Sequence, residues 1–242
     1  MPDAAADFLL VHGSCHGAWC WRDLIPQLNA RGHAARAIDL PGHGNDTTPV
    51  VAQTLAACRD AVLAASRPDT IILGHSWGGY PIGAAAEADP DAMRGLVFLC
   101  AYVPVSGLSM VDMRKRAPRH PILSVVQRAP DGKTLSVDPD KAAAVFYNDC
   151  SAEVIAYAKR QLGPQAIRPQ ETPLTLSARF ERVPKAYIRC TDDQTIPPEY
   201  QAEMTRNWPR ERVHDMPSSH SPFFSDPAGL AALLDRIAHD LT

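Results

Sequence analysis

Long apolar runs are missing from this 242-residue chain. No segment reaches the roughly 18 apolar residues that a membrane-spanning helix needs, and the longest candidate, Gly95 to Val105, is interrupted by Pro104. No membrane partner is expected. A surplus of positive charge is also absent: 24 lysines and arginines face 27 acidic residues, and a net charge of -3 offers neither a footprint for nucleic acid nor an acidic tail. No two cysteines have C-x-x-C spacing. Cys15, Cys20, Cys58, Cys100, Cys150 and Cys190 are scattered, which reads as small buried hydrophobes and not as a disulfide framework or a metal site. The start, MPDAAADFLL, lacks the positive stretch of a secretion signal, so a cytoplasmic compartment is expected. Repeats and low-complexity tracts are lacking too, and glycine is sparse at 14 residues. Proline is plentiful: 22 residues are about twice the usual share, but a 45% hydrophobic composition excludes collagen-like and disordered chains. One globular domain spanning 1–242 is the default at this length.

What is present is an alternation of short apolar runs and helical spacing. Strands are expected at Phe8 to Val11, Ala34 to Ile38, Thr70 to Leu73, Leu96 to Cys100, Ala186 to Arg189 and Val213 to Met216. Helices are expected between them at Trp21 to Arg31, Thr54 to Ser66, Ser76 to Ala88 and Pro198 to Asn207. A last helix, Ala228 to Leu241, carries Leu230, Leu233, Leu234 and Ile237 on one face. Strand and helix in alternation imply an α/β fold, a parallel sheet covered on both sides. The beat breaks between about Val103 and Val183, which holds many prolines and two expected helices near Asp140 to Asn148 and Ala152 to Leu162. That stretch reads as an insertion over the sheet. Its basic cluster (Arg114, Lys115, Arg116, Arg119) could steer anionic substrates, but a solvated helix face is the favoured reading.

The sharpest chemical signal is Gly74-His75-Ser76-Trp77-Gly78-Gly79, which follows the apolar run Ile71-Ile72-Leu73 and opens a helix. A serine exposed on a tight strand-to-helix turn needs small residues two positions before and after it. The helix start also turns unpaired N–H groups and a positive dipole end toward developing negative charge. Ser76 is the expected nucleophile, and a serine nucleophile needs a base. Among nine histidines, His220 stands on the loop after the last strand, where ligands bind in parallel sheets. His75 neighbours the serine but points elsewhere from a tight turn. The orienting acid is expected after strand Ala186 to Arg189, at Asp192 or Asp193. The first strand runs into His12-Gly13-Ser14-Cys15-His16-Gly17, and the backbone N–H groups of Ser14 and Trp77 are the expected oxyanion donors.

The stretches LLVHGSCHGAWCW, LIPQLNARGHAARAIDLPGHG and GHSWGG resemble the α/β-hydrolase superfamily. More narrowly they resemble the plant methyl-esterase and hydroxynitrile-lyase group and its bacterial esterase relatives, which include pyrethroid and carbamate hydrolases. The resemblance covers nearly the whole chain and is weakest in the insertion, about 103–183, which it implies is a helical cap. It implies the acid motif C-T-x-D followed by I-P, which on Cys190 to Pro197 selects Asp193, and it places the family's histidine on His220. Two departures count against lyase chemistry: Gly13 stands where those lyases carry threonine, and Ser221 where they carry a lysine. Because the chain begins close to its first long strand, an essentially parallel six-stranded sheet is expected. The implied activity is a serine hydrolase of small hydrophobic or aryl carboxylic esters, with carbamates as a variant, needing no metal or organic cofactor. Its partner would be a small-molecule ester, and a homodimer is left open. The rivals are a lyase-like, lactone, amide or C–C bond reaction on the same residues, and a receptor without turnover.

Overall fold

Phe8 and Leu10 pack into one apolar cluster, Leu9 and Val11 into another, and all four are wholly buried. Side chains alternate across a strand, so this run must lie inside a sheet that is covered on both faces. The structure, a computed structural model, describes residues 5–241. Residues 1–4, where the stretch read for a secretion signal begins, and Thr242 lie outside it. From the amino end come β1 (Asp7–Val11), α1 (Leu24–Ala30), β2 (Ala34–Ile38), α2 (Leu55–Ala65), β3 (Thr70–His75), α3 (Gly79–Ala88) and β4 (Gly95–Leu99). The segment after β4 holds α4 (Met110–Arg116), β5 (Val126–Arg128), β6 (Thr134–Val137), α5 (Ala142–Phe146), α6 (Ala152–Gln161), β7 (Gln165–Ala166), α7 (Arg168–Glu171) and α8 (Ala178–Arg182). Then follow β8 (Lys185–Cys190), α9 (Pro198–Met204), β9 (Val213–Met216), α10 (Pro222–Ser225) and α11 (Pro227–Asp240).

Six strands form a parallel sheet in the order β2-β1-β3-β4-β8-β9, as the sequence led us to expect. One face is covered by α1 and α11, whose Leu24, Leu28, Leu230, Leu234 and Ile237 pack with Phe8, Leu10, Ile71 and Leu73. The other is covered by α2 and α3, where Leu55, Cys58, Val62 and Ile82 meet Leu9, Val11, Ile72 and Phe98. The register aligns Val11 with Gly74, His75 with Leu99, and Cys190 with Met216, so the loops that follow β1, β3, β8 and β9 leave from one edge. Among the described residues no helix is long and apolar enough to cross a membrane.

Two local expectations need correction. The first helix begins at Leu24, after a separate 3₁₀ turn at Ala18–Trp21. The segment between β4 and β8 is not purely helical, because β5, β6 and β7 form a three-stranded antiparallel sheet. These strands are only two to four residues long, and the third comes from far along the chain, so no alternation announces them in sequence.

Gly78 fixes how closely α3 can approach the end of β1. A Cβ there would stand 2.9 Å from the Val11 carbonyl oxygen and 2.8 Å from that of His12, both backbone atoms that cannot swing aside. Gly78→Ala is therefore expected to lower stability by about 1–3 kcal/mol through overpacking. A urea midpoint equal to that of the parent would contradict this packing account.

Candidate active site

The turn after β3 puts Ser76 at φ +56, in the left-handed region that side chains other than glycine rarely occupy. Strain of this kind persists where surrounding contacts over-determine it. Here Gly74 lies against the Gly78 carbonyl, with room for a Cβ denied at 2.8 Å, and Gly13 would meet the Ser76 Cβ at 2.8 Å. The Ser76 carbonyl accepts from the Tyr102 N–H at 3.1 Å, which ties the turn to the end of β4. Ser76 faces a pocket of about 840 Å³, counting the open space at its mouth.

Burial separates the two candidate acids. Asp192 is exposed, whereas Asp193 is inaccessible to solvent. Four donors converge on its carboxylate: the N–H groups of Thr195 (2.6 Å) and Ile196 (3.0 Å) on Oδ1, and Gln201 Nε2 (2.9 Å) and His220 Nδ1 (2.8 Å) on Oδ2. Gln201 also donates to the Ile196 carbonyl at 2.7 Å and accepts from the Cys190 N–H at 3.0 Å. Sequence reasoning missed Gln201, because nothing in its position on α9 announces a buried partner.

His220 is likewise buried. Its carbonyl accepts from His75 Nε2 at 2.8 Å and from the Cys100 thiol at 3.5 Å, so backbone and ring are both held. With Nδ1–H directed at Asp193, the neutral ring leaves a lone pair on Nε2, and that atom has no hydrogen-bond partner among the described residues. His220 and Ser76 line the same pocket, yet no hydrogen bond joins the Ser76 hydroxyl to Nε2. The structure thus brings Asp193 and His220 together and leaves Ser76 beside them, unbonded. Such contacts in empty sites commonly close only when substrate arrives.

The loop after β1 is shaped by imidazoles. His12 donates from Nδ1 to the Gly13 carbonyl (2.8 Å) and accepts the Leu40 N–H on Nε2 (3.1 Å), which requires a neutral ring. His16 donates from Nδ1 to the Ser14 carbonyl (2.8 Å), and its Nε2 meets the Tyr147 hydroxyl at 2.7 Å. Burial pushes His16 down to about 4 and His12 and His75 well below the usual imidazole value; neighbouring imidazoles add to the effect at all three. These rings act as neutral brackets. The Ser14 Oγ accepts from Gln170 Nε2 at 2.6 Å, while the Ser14 backbone N–H has no partner among the described residues. The Trp77 N–H belongs to the first turn after Ser76, where helical N–H groups lack intrahelical partners. Tyr147 and Gln170 come from the segment between β4 and β8 and carried no sequence signal.

Among the described residues, one group of side chains could hold a metal ion: His75, Cys100 and His220 offer donor atoms within 4.8 Å of one another, all buried. Burial raises the Cys100 thiol well above its usual value, and its S–H already points at the His220 carbonyl. That is the chemistry of a packed thiol and not of a thiolate ligand.

A strained serine turn, an acid–imidazole pair and two free N–H groups at the carboxyl edge of a parallel sheet define the class: a hydrolase of the α/β type. The chain belongs to the alpha/beta hydrolase family, whose sequence profile matches residues 8–233. It is 30% identical to the pyrethroid hydrolase of Sphingobium wenxiniae over 96% of this chain and 87% of that one. It is also 30% identical to methylesterase 7 of Arabidopsis thaliana, over 96% and 95% of the two chains. The crystal structure of a pyrethroid hydrolase from Sphingobium faniae superposes with a TM-score of 0.85 at 28% identity, covering 98% of each chain.

Asp193→Asn is expected to lower kcat/KM for an ester by about 10⁴-fold, by analogy with the same exchange in other such pairs. Asp192→Asn is expected to stay within a few-fold of the parent. The opposite ranking in steady-state assays would exchange their roles.

Proposed function

We propose that the protein hydrolyses carboxylic esters by way of a serine acyl-enzyme. The observation that carries this reading is the unpartnered Nε2 of His220, which opens on the same pocket as Ser76 while Nδ1 is tied to Asp193. Nε2 takes the hydroxyl proton as Ser76 Oγ attacks the ester carbonyl. Asp193 stabilises the imidazolium that forms. Negative charge gathers on the carbonyl oxygen, where the N–H groups of Ser14 and Trp77 meet it. The imidazolium then protonates the departing alkoxide, and the acyl group stays on Ser76. Water, deprotonated by the same nitrogen, releases the acid and restores the serine. No step runs through a metal.

The relatives' names, pyrethroid hydrolase and methylesterase, support ester cleavage. The pocket supports a small hydrophobic or aryl ester: Met110, Val111, Ile122, Val126, Leu135, Val137 and Phe146 all line it. In this reading the segment between β4 and β8 serves as the cap that closes over substrate, since all of those residues belong to it. Carbamate esters fit the same sequence of steps. No cationic side chain directly follows His220, where Ser221 stands, which supports hydrolysis over a reaction that expels cyanide.

With p-nitrophenyl acetate as probe, Ser76→Ala is expected to lose turnover by about 10⁶-fold. Retention of more than about a tenth of the parent rate would remove Ser76 from the mechanism.

A further inference from the structure

The basic cluster that reads as a solvated face in sequence divides in the folded chain. Lys115, Arg116 and Arg119 are exposed, and two of them are paired: Lys115 with Asp112 at 3.7 Å and Arg119 with Glu199 at 2.6 Å. Arg114 instead is half-buried and lines the pocket that Ser76 faces. It stands one turn along α4 from Met110 and next but two to Val111, both of which line the same pocket, so that face of the helix turns inward. Among the described residues its guanidinium has no ion pair or hydrogen bond.

The rest of the lining sharpens this. It contains no aspartate or glutamate. Its other arginine, Arg128, is exposed and already paired with Glu171 at 3.4 Å. The lining imidazoles His16 and His75 are kept neutral by burial. The guanidinium of Arg114 is therefore the uncompensated charge of an otherwise largely apolar pocket. Its influence extends across the pocket wall, opposing the upward push that burial exerts on the Tyr102 phenol. A guanidinium presents a planar fork of donors that matches one carboxylate with two parallel hydrogen bonds. Half withdrawn from water with those donors unused, it lacks the pairing that charged groups normally have when they leave solvent.

Resting on the ester-hydrolase reading, we propose that Arg114 anchors a carboxylate of the substrate. The preferred substrates are then monoanionic esters with an apolar or aryl skeleton: half-esters of dicarboxylic acids, or esters of carboxy-substituted alcohols or phenols. The carboxylate lies on Arg114 and the scissile carbonyl at Ser76. One free guanidinium suits one negative charge, which favours a carboxylate over a phosphate dianion.

The test compares neutral and anionic esters on the same enzyme preparation. One pair is p-nitrophenyl acetate and p-nitrophenyl hydrogen glutarate; the other is phenyl acetate and 4-carboxyphenyl acetate. The parent is expected to favour the anionic member of at least one pair by about tenfold or more in kcat/KM, chiefly through KM. In Arg114→Gln that ratio is expected to collapse toward one, and Arg114→Lys to restore part of it. Lys115→Gln, on the exposed face, is expected to keep the parent ratio. Because each ratio is taken within one preparation, partial loss of folded protein leaves it unaffected. Ser76-dependent turnover of the neutral esters, with no anionic preference in either pair or a preference unchanged in Arg114→Gln, would overturn the carboxylate anchor alone. Turnover of all four esters no faster than in Ser76→Ala would overturn the hydrolase reading, and the anchor with it.

Discussion

A carboxylate taken wholly out of water must be met by donors on every side, or its desolvation outweighs the fold that buries it. Asp193 is in that position, and its four hydrogen bonds organise the surrounding chain. The turn after β8 bends back to offer the Thr195 and Ile196 N–H groups, α9 presents Gln201, and the loop after β9 delivers His220. The direction of the His220 ring follows from this, since one nitrogen is tied to the acid and the histidine's own carbonyl is held by His75 and Cys100. Only Nε2 is left to face the pocket.

The opposite wall depends on a different economy, that of small residues and neutral rings. Gly13 and Gly78 allow the end of β1 and the loop after it to touch the serine turn at distances no Cβ would permit, and Gly74 lets the turn close on the Gly78 backbone. His12 and His16 then bracket that loop by accepting on one nitrogen and donating from the other, a role open only to uncharged imidazoles. Burial holds them uncharged. The segment between β4 and β8 joins this wall through polar contacts: Tyr147 on His16, Gln170 on Ser14, and Gln165 on both His43 and Gln53. Its apolar side chains meanwhile furnish the pocket lining. One segment therefore supports the loop after β1 and shapes the space before Ser76.

Much of this was legible in the linear chain, for local reasons. The central strands announce themselves because burial on two faces demands continuous apolar runs, as in Phe8 to Val11 and Ile71 to Leu73. The serine turn is legible because its steric limits act on residues two positions away. The choice between Asp192 and Asp193 was not open to spacing alone, because both follow the same strand; a family motif selected Asp193, and burial separates the two in the fold. Strands β5 to β7 escaped notice because they are too short to show alternation, and β7 joins its neighbour from far along the chain. Arg114 could not be told from its basic neighbours, because a run of basic residues looks alike on either face of a helix until the helix has something to pack against.

By itself, then, the order of residues determined the alternation of strands and helices, the parallel sheet, the tight turn bearing Ser76, and the loops from which an imidazole and an acid could come. These depend on periodicity and on steric demands between near neighbours, which any window of a few residues contains. Tertiary structure alone decided that Gln201 backs the acid, that Tyr147 and Gln170 steady the loop after β1, and that Arg114, alone of the four clustered basic residues, lines the pocket. Each of those is a contact between side chains on separate elements, and its partner exists only once the sheet has set the distances.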